Sequence, residues 1–107
     1  MIYLASPYAH PFPSVMQWRY ERMVKYTNTQ FRYGVKAYSP IVHNHPIAVL
    51  GGLPRTWSFW RNFDIDMLRL ATELHVIQLP GWKKSKGVTA EIHMAKQLGI
   101  PVVYIQP

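Results

Sequence analysis

The 107 residues, 49% hydrophobic and 14% aromatic, are enough for one domain over residues 1–107 to bury a single core. The lack of cysteine excludes a disulfide scaffold, a thiolate zinc site and a cysteine nucleophile, and it suits a cytoplasmic protein. A formal net charge of +7 favours an anionic partner, because such a field concentrates phosphates.

The apolar runs are too short for a membrane span, and no basic-then-apolar leader precedes the first strand-like segment, so a membrane-free chain is predicted. Ile2–Ala5 is short and apolar, and Ser6-Pro7 after it reads as a turn, which predicts a first strand. Ser14 and Gln17 make a capping-box pattern. Met16, Tyr20, Met23, Thr27 and Phe31 recur at helical spacing and Gly34 can supply a left-handed stop, so a helix is predicted over about 14–33. Arg19, Arg22, Lys25 and Arg32 in that helix read as a solvated basic surface.

Residues 35–39 predict a second strand. From Pro40 onward, Pro46, Gly51, Gly52 and Pro54 predict an irregular stretch. Structureless connections beyond roughly 12–15 residues are uncommon unless they bind or cover something, so this one reads as a lid or pocket wall. Phe59, Phe63, Met67 and Leu70 mark a second helix and residues 74–79 a third strand. Val88, Ile92, Ala95 and Leu98 mark a third helix, and Val102–Ile105 a last strand. The order βαβαβαβ predicts a small doubly wound α/β fold, flavodoxin-like or Rossmann-like, with a parallel sheet of four to five strands.

Such a sheet binds ligands beyond the carboxyl ends of its strands, where the strand order reverses. With the order 2-1-3-4 that point brings Ser6, Pro7 and Tyr8 beside the glycine- and lysine-rich loop of residues 81–87. Helix-start amides near Ser85, Gly87 and Val88 can dock a phosphate or a sugar hydroxyl; the alternative is an ordinary cap by Ser85 or Gly87.

Glu91 lies one turn into the third helix on or beside its apolar stripe. A capping-box role fails because Val88, three residues earlier, has no side-chain oxygen; a carboxylate favoured by the helix dipole remains open. A carboxylate held ionised at a dry pocket floor can attack an anomeric carbon, and Asp64 or Asp66 can supply the second acid that such chemistry uses. Tyr8, Trp57, Trp60 and Trp82 fall in or beside the pocket loops, where a nucleobase can stack, Trp82 being favoured and Trp57 least so. His43-x-His45 has no third ligand at usable spacing, so no metal is predicted, and no cofactor is called for.

Residues 2–8, Ser39-Pro40-Ile41 with a following histidine, Asp64, residues 85–91 and Gly99-Ile100-Pro101-Val102 together resemble the nucleoside 2-deoxyribosyltransferase superfamily, including the 2'-deoxynucleoside 5'-phosphate N-hydrolases. The resemblance spans nearly the whole chain, is closest to a short branch, and is most specific in Gly81-Trp82-x-x-Ser85-x-Gly87-x-x-x-Glu91. It implies that Glu91 is the nucleophile, that Asp64 contacts or protonates the base, and that Tyr3 lines the pocket near the nucleophile. It further implies that Pro7 and Tyr8 border the sugar and 5' group, that Ser85 and Gly87 hold that group, and that His43 or His45 lies on the phosphate side. Thr72 stands where the family often has aspartate, and Ser6 or Pro7 where it usually has glycine. Residues 80–91 also faintly resemble phosphoribohydrolases that act on cytokinin nucleotides.

Cleavage or exchange of an N-glycosidic bond in a nucleotide or nucleoside, hydrolysis preferred, is therefore the expected activity. Its alternative is a noncatalytic nucleotide-binding module. A homo-oligomer, a dimer or larger, follows from the resemblance. Nucleic acid is the least expected partner, because a parallel sheet presents no exposed stacking face.

Overall fold

The computed structural model describes residues 1–107. Along the chain lie β1 (Ile2–Ala5), α1 (Pro13–Arg32), β2 (Ala37–Tyr38), α2 (Pro40–Gly51), α3 (Trp57–Leu68), β3 (Glu73–Ile77), a 3₁₀ turn (Trp82–Lys84), α4 (Lys86–Gln97) and β4 (Val102–Ile105). The four strands form one sheet in the order β2-β1-β3-β4. All pairings are parallel, with Tyr3 opposite both Tyr38 and Leu74, and Leu74 opposite Val102. The protein is an α/β fold of the small flavodoxin-like kind, and its strand order reverses between β1 and β3.

Alternation along β1 sends successive side chains to opposite faces of the sheet. Tyr3 and Ala5 pack with Leu68, Leu74, Val76, Val88 and Ala95 beneath α3 and α4. Leu4 packs with Met23, Ile77 and Leu79 beneath α1. Each fully buried aliphatic side chain of this size stabilises the fold by about 1.5–3 kcal/mol. No helix is long and apolar enough to cross a membrane.

The order βαβαβαβ is corrected by one element. Residues 40–51, expected to be irregular, form α2, giving βαβααβαβ. The prolines and glycines that suggested a loop sit where a helix accepts them. Pro40 occupies the first turn, where its missing N–H is no loss. Ser39 caps the helix by accepting a hydrogen bond from the Val42 amide at 3.2 Å. Gly52 ends it at φ 71°, a left-handed conformation that glycine adopts without strain. Only Pro46 lies in the interior, where it leaves the Val42 carbonyl without its helical donor. Capture of Ser39 as a cap also shortens the second strand, which is Ala37–Tyr38 rather than 35–39.

Two further expectations change. The helix α1 starts at Pro13, with Phe12 as a cap residue that makes no side-chain hydrogen bond, so Ser14 and Gln17 form no capping box. Of the expected apolar stripe, Phe59, Phe63 and Leu70, the last beyond the end of α3, are exposed and only Met67 packs against the core; the buried residues of α3 are Asp64 and Leu68.

Candidate active site

A cavity of about 580 Å³ opens over the switch point between β1 and β3, and Ser6, Asn44, Trp60, Asp64, Ser85 and Glu91 are among its lining residues. Four segments build it: the loop after β1, the inner face of α2, the start and inner face of α3, and the first turns of α4. What was expected to be an irregular lid is therefore a helical wall.

Glu91 is 4% exposed. It stands in the second turn of α4, on the face that covers the sheet, and its Oε2 accepts a hydrogen bond from the hydroxyl of Tyr3 on the central strand. Burial pushes its carboxyl up to about 8, against the hydrogen bond from Tyr3, and the neighbouring Asp64 adds to the rise. The expectation of a carboxylate kept ionised by helix-start amides is thus corrected. Burial favours the protonated form of Glu91, and its hydrogen-bond donor is a phenol rather than a backbone amide. Burial, and then Glu91 and Asp64, raise Tyr3 well above the usual range for a phenol, so Tyr3 remains a donor. Tyr3 itself is wholly buried and reaches the cavity only through Glu91.

Asp64 sits two turns into α3, 5% exposed. Its Oδ1 accepts a hydrogen bond from the Asn44 side-chain amide at 3.0 Å. Burial raises its carboxyl to about 6, while the Asn44 amide and the charge of His43 oppose the rise. Asp66, the other aspartate considered, is exposed and pairs with Arg69 at 3.4 Å, a surface contact worth little.

The two histidines stand behind the wall rather than in it. His45 accepts from the Tyr8 hydroxyl at Nδ1 (2.5 Å) and donates from Nε2 to Gln17 Oε1 (2.9 Å). Because the Gln17 amide nitrogen is occupied by Glu21, its oxygen faces His45, and that assigns the tautomer. Burial, with the charge of Arg55, lowers the basicity of His45. It stacks on Tyr20 at 4.3 Å and so fixes Tyr8, which does line the cavity. His43 contacts Asn44 and stacks on Phe63. The expectation that either histidine faces a ligand is corrected for both.

Other expected contacts divide in the same way. Ser6, Tyr8, Trp60, Ser85 and Gly87 line the cavity; Pro7, Val88 and Trp82 do not. Pro7 is fully buried, and the Val88 amide is spent on the cap, donating to Ser85 Oγ at 3.2 Å. Trp82 packs against Tyr104 of β4, with 5.7 Å between ring centroids. The aromatic ranking is therefore reversed: Trp57, the least favoured, forms the wall with Trp60, whose indole nitrogen donates to the Pro54 carbonyl at 2.8 Å.

Arg19, read as surface charge, is 8% exposed. Its guanidinium donates to the carbonyls of Tyr8 (3.1 Å), Ala9 (3.2 Å) and Pro80 (3.2 Å), buckling the loop after β1 to the loop after β3. Glycine is required at position 81 beside it: Gly81 has φ 90°, and a Cβ there would lie only 2.8 Å from Arg19 Nη2. Asn44, Arg55 and Arg19 are the functional neighbours that periodicity missed. Only Asn44 had a signal, the helical spacing of Ile41, Asn44, His45 and Ala48, and two of those four are polar.

The chain belongs to the DUF1937 family, a domain of unknown function whose family profile matches residues 1–106. Among curated proteins nothing matches it. Within this DUF1937 domain the chemistry-bearing groups are two buried carboxyls in one cavity, flanked by Arg55, Lys84 and Lys86 and by two indoles. No cluster of three or more histidine, aspartate or glutamate side chains is placed to hold a metal ion.

Proposed function

We propose that the protein cleaves or exchanges the N-glycosidic bond of a nucleoside or its 5'-monophosphate, with hydrolysis preferred, through a covalent glycosyl intermediate on Glu91. The observation that carries this reading is the pair of buried carboxyls, Glu91 and Asp64, sharing one cavity while differing in their hold on a proton. The resemblance to nucleoside 2-deoxyribosyltransferases assigns the same two residues to the same chemistry. Trp57 and Trp60 offer faces for a base, and Arg55, Lys84 and Lys86 suit an anionic 5' group.

In this mechanism the productive form carries one proton on Asp64 and a negative charge on Glu91. A Glu91 oxygen attacks C1' as the C1'–N bond breaks, and the departing nitrogen, or another ring nitrogen of the base, takes the Asp64 proton. Asp64, now ionised, removes a proton from water, whose oxygen attacks C1' as the bond from C1' to the Glu91 oxygen breaks and releases the carboxylate. The sugar leaves with a hydroxyl, and Glu91 and Asp64 return to their starting forms. The Tyr3 hydroxyl favours the ionised nucleophile, and positive charge developing at C1' favours it further. Because the free protein keeps the proton on Glu91, substrate binding has to move it to Asp64.

A neutral or anionic small molecule is then the partner, in the cytoplasm, and no cofactor enters. The same reading carries a homo-oligomer, for which Ile47, Val49, Leu50, Phe59 and Phe63 provide exposed apolar surface. The test is incubation with a panel of ribo- and deoxyribonucleosides and their 5'-monophosphates, following free base beside Glu91→Gln. Release of one base, reduced at least about 10³-fold in the variant, is the expected result. No release, even with a second base as acceptor, together with thermal stabilisation by a nucleotide, replaces it with the binding-module reading.

A further inference from the structure

Asn44 is 7% exposed, lines the cavity, and has both ends of its side-chain amide engaged. On the inner side Nδ2 donates to Asp64 Oδ1 at 3.0 Å. On the outer side Oδ1 lies 2.7 Å from His43 Nδ1. An amide oxygen only accepts, so His43 carries its proton on Nδ1 and donates. The His43 ring is held in that pose by stacking on Phe63, 5.3 Å between centroids and 22° between planes.

This chain of donors has one direction, from the outer imidazole through the amide to the buried carboxylate. A flipped Asn44 would oppose its oxygen to the Asp64 carboxylate and its NH₂ to the Nδ1–H of this His43 tautomer, so the flip costs the hydrogen bond to Asp64 and requires the imidazole to move its proton as well. The imidazole therefore locks the amide, and the amide commits one oxygen of Asp64 and leaves the other for the cavity.

We propose that Asn44, clamped by His43, is a positioning residue that fixes the orientation and charge of Asp64 and thereby decides which of the two buried acids carries the site's proton. The role of Asp64 in base departure rests on the N-glycosidase reading; the clamp itself does not. The other groups facing Asp64 are Glu91 on α4, Tyr38 on β2 and Tyr3 on β1. Of these only Glu91 titrates in the same range. Tyr38, like Tyr3, is raised by burial and by both carboxylates and stays protonated.

The experiment is a ¹³C NMR titration of the side-chain carboxyls, which number five in the chain, in the wild type, Asn44→Leu and His43→Phe, with thermal melting as the check on folding. Asn44→Leu keeps the volume and removes the donor, so the Asp64 midpoint moves up by about one pH unit or more. His43→Phe keeps the stack on Phe63 and frees the amide to rotate, so the midpoint moves the same way by less. If Asn44→Leu does not fold, Asn44→Ala takes its place.

An Asp64 midpoint unmoved in a folded Asn44 variant overturns the clamp, whether or not the protein releases base. A moved midpoint upholds it even if no substrate is turned over, which is the outcome that would instead count against the N-glycosidase reading. Where base release is seen, Asn44→Leu lowers kcat about tenfold with little change in KM, because the lost orientation of Asp64 outweighs the proton shifted toward it, and the acidic limb of the pH profile moves up with the NMR midpoint.

Discussion

The wall that carries Glu91 and the wall that carries Asp64 solve the same problem in opposite ways. Glu91 is set on α4 against the central strand, fully enclosed, with Tyr3 as its side-chain donor. Asp64 is set on α3 against α2, with an amide on one oxygen and an imidazole behind the amide. Each acid accepts one side-chain hydrogen bond, so the difference comes from burial, which is deeper on the sheet-facing side, and from the charges nearby: Asp64 raises Glu91, whereas His43 lowers Asp64. One acid therefore keeps its proton to about pH 8 and the other only to about pH 6. Two carboxyls become chemically distinct through their surroundings rather than their identity.

The largest effect that sharpens this comparison is expected from Asp64→Asn. Without an acid for the leaving base, kcat should fall about 10²-fold or more, and less for a substrate whose base leaves without protonation. In the wild type the singly protonated pair dominates between about pH 6 and about pH 8, so kcat/KM should be bell-shaped with a maximum near 7. Below that window both acids are protonated and no nucleophile remains; above it both are ionised and no acid remains. A profile flat from about pH 5 to 9 would break the assignment of the two groups to the reaction.

Stability provides the next test, and it needs no substrate. The folded protein holds the Glu91 proton to about pH 8, whereas the unfolded chain releases it near the ordinary value of 4.5. Between those values the folded state binds more protons, so the stability belonging to this group is present at low pH and is lost as pH rises through 8. Glu91→Gln removes that loss. Its melting temperature should match the wild type near pH 4 and exceed it by more than about 5 °C near pH 8. Equal melting curves at both pH values would mean that Glu91 is not desolvated.

A smaller effect is expected at Tyr3. Tyr3→Phe keeps the core packing and removes the donor that favours the ionised form, so the upper limb of the pH profile should move to higher pH and base release at about pH 7 fall about tenfold. An unmoved upper limb would show that Glu91 does not set it.

The two walls also differ in how far they could be read from residues alone. The Glu91 wall rests on short-range signals: a strand of four apolar residues, a glycine-bearing loop, and a helix whose stripe contains one misplaced acid. Those signals placed Ser6, Tyr8, Ser85 and Glu91 at one edge of a parallel sheet, with the strand order 2-1-3-4 that the fold has. The Asp64 wall gives no such pattern. Its helix α2 carries proline and glycine at its ends and one proline inside, and its inward face is Asn44 and His45 as much as Ile41 and Ala48. Hydrophobic periodicity is blind to a helix that buries polar residues in hydrogen-bonded partnerships. For the same reason periodicity turns α3 the wrong way round, since its phenylalanines face outward and its aspartate inward.

By itself, the sequence determined the order of strands and helices apart from α2, the parallel sheet, a candidate site at its carboxyl edge and the exceptional position of Glu91, because each follows from local spacing and from the handedness of chain connections. Tertiary structure alone decided that Arg19 is a buried buckle, that Trp57 rather than Trp82 faces the cavity, that both histidines work through a neighbour, and that Asn44 holds Asp64. Those outcomes depend on which side chains from distant segments fill one another's hydrogen-bonding capacity out of water, and no periodicity along a single segment records that.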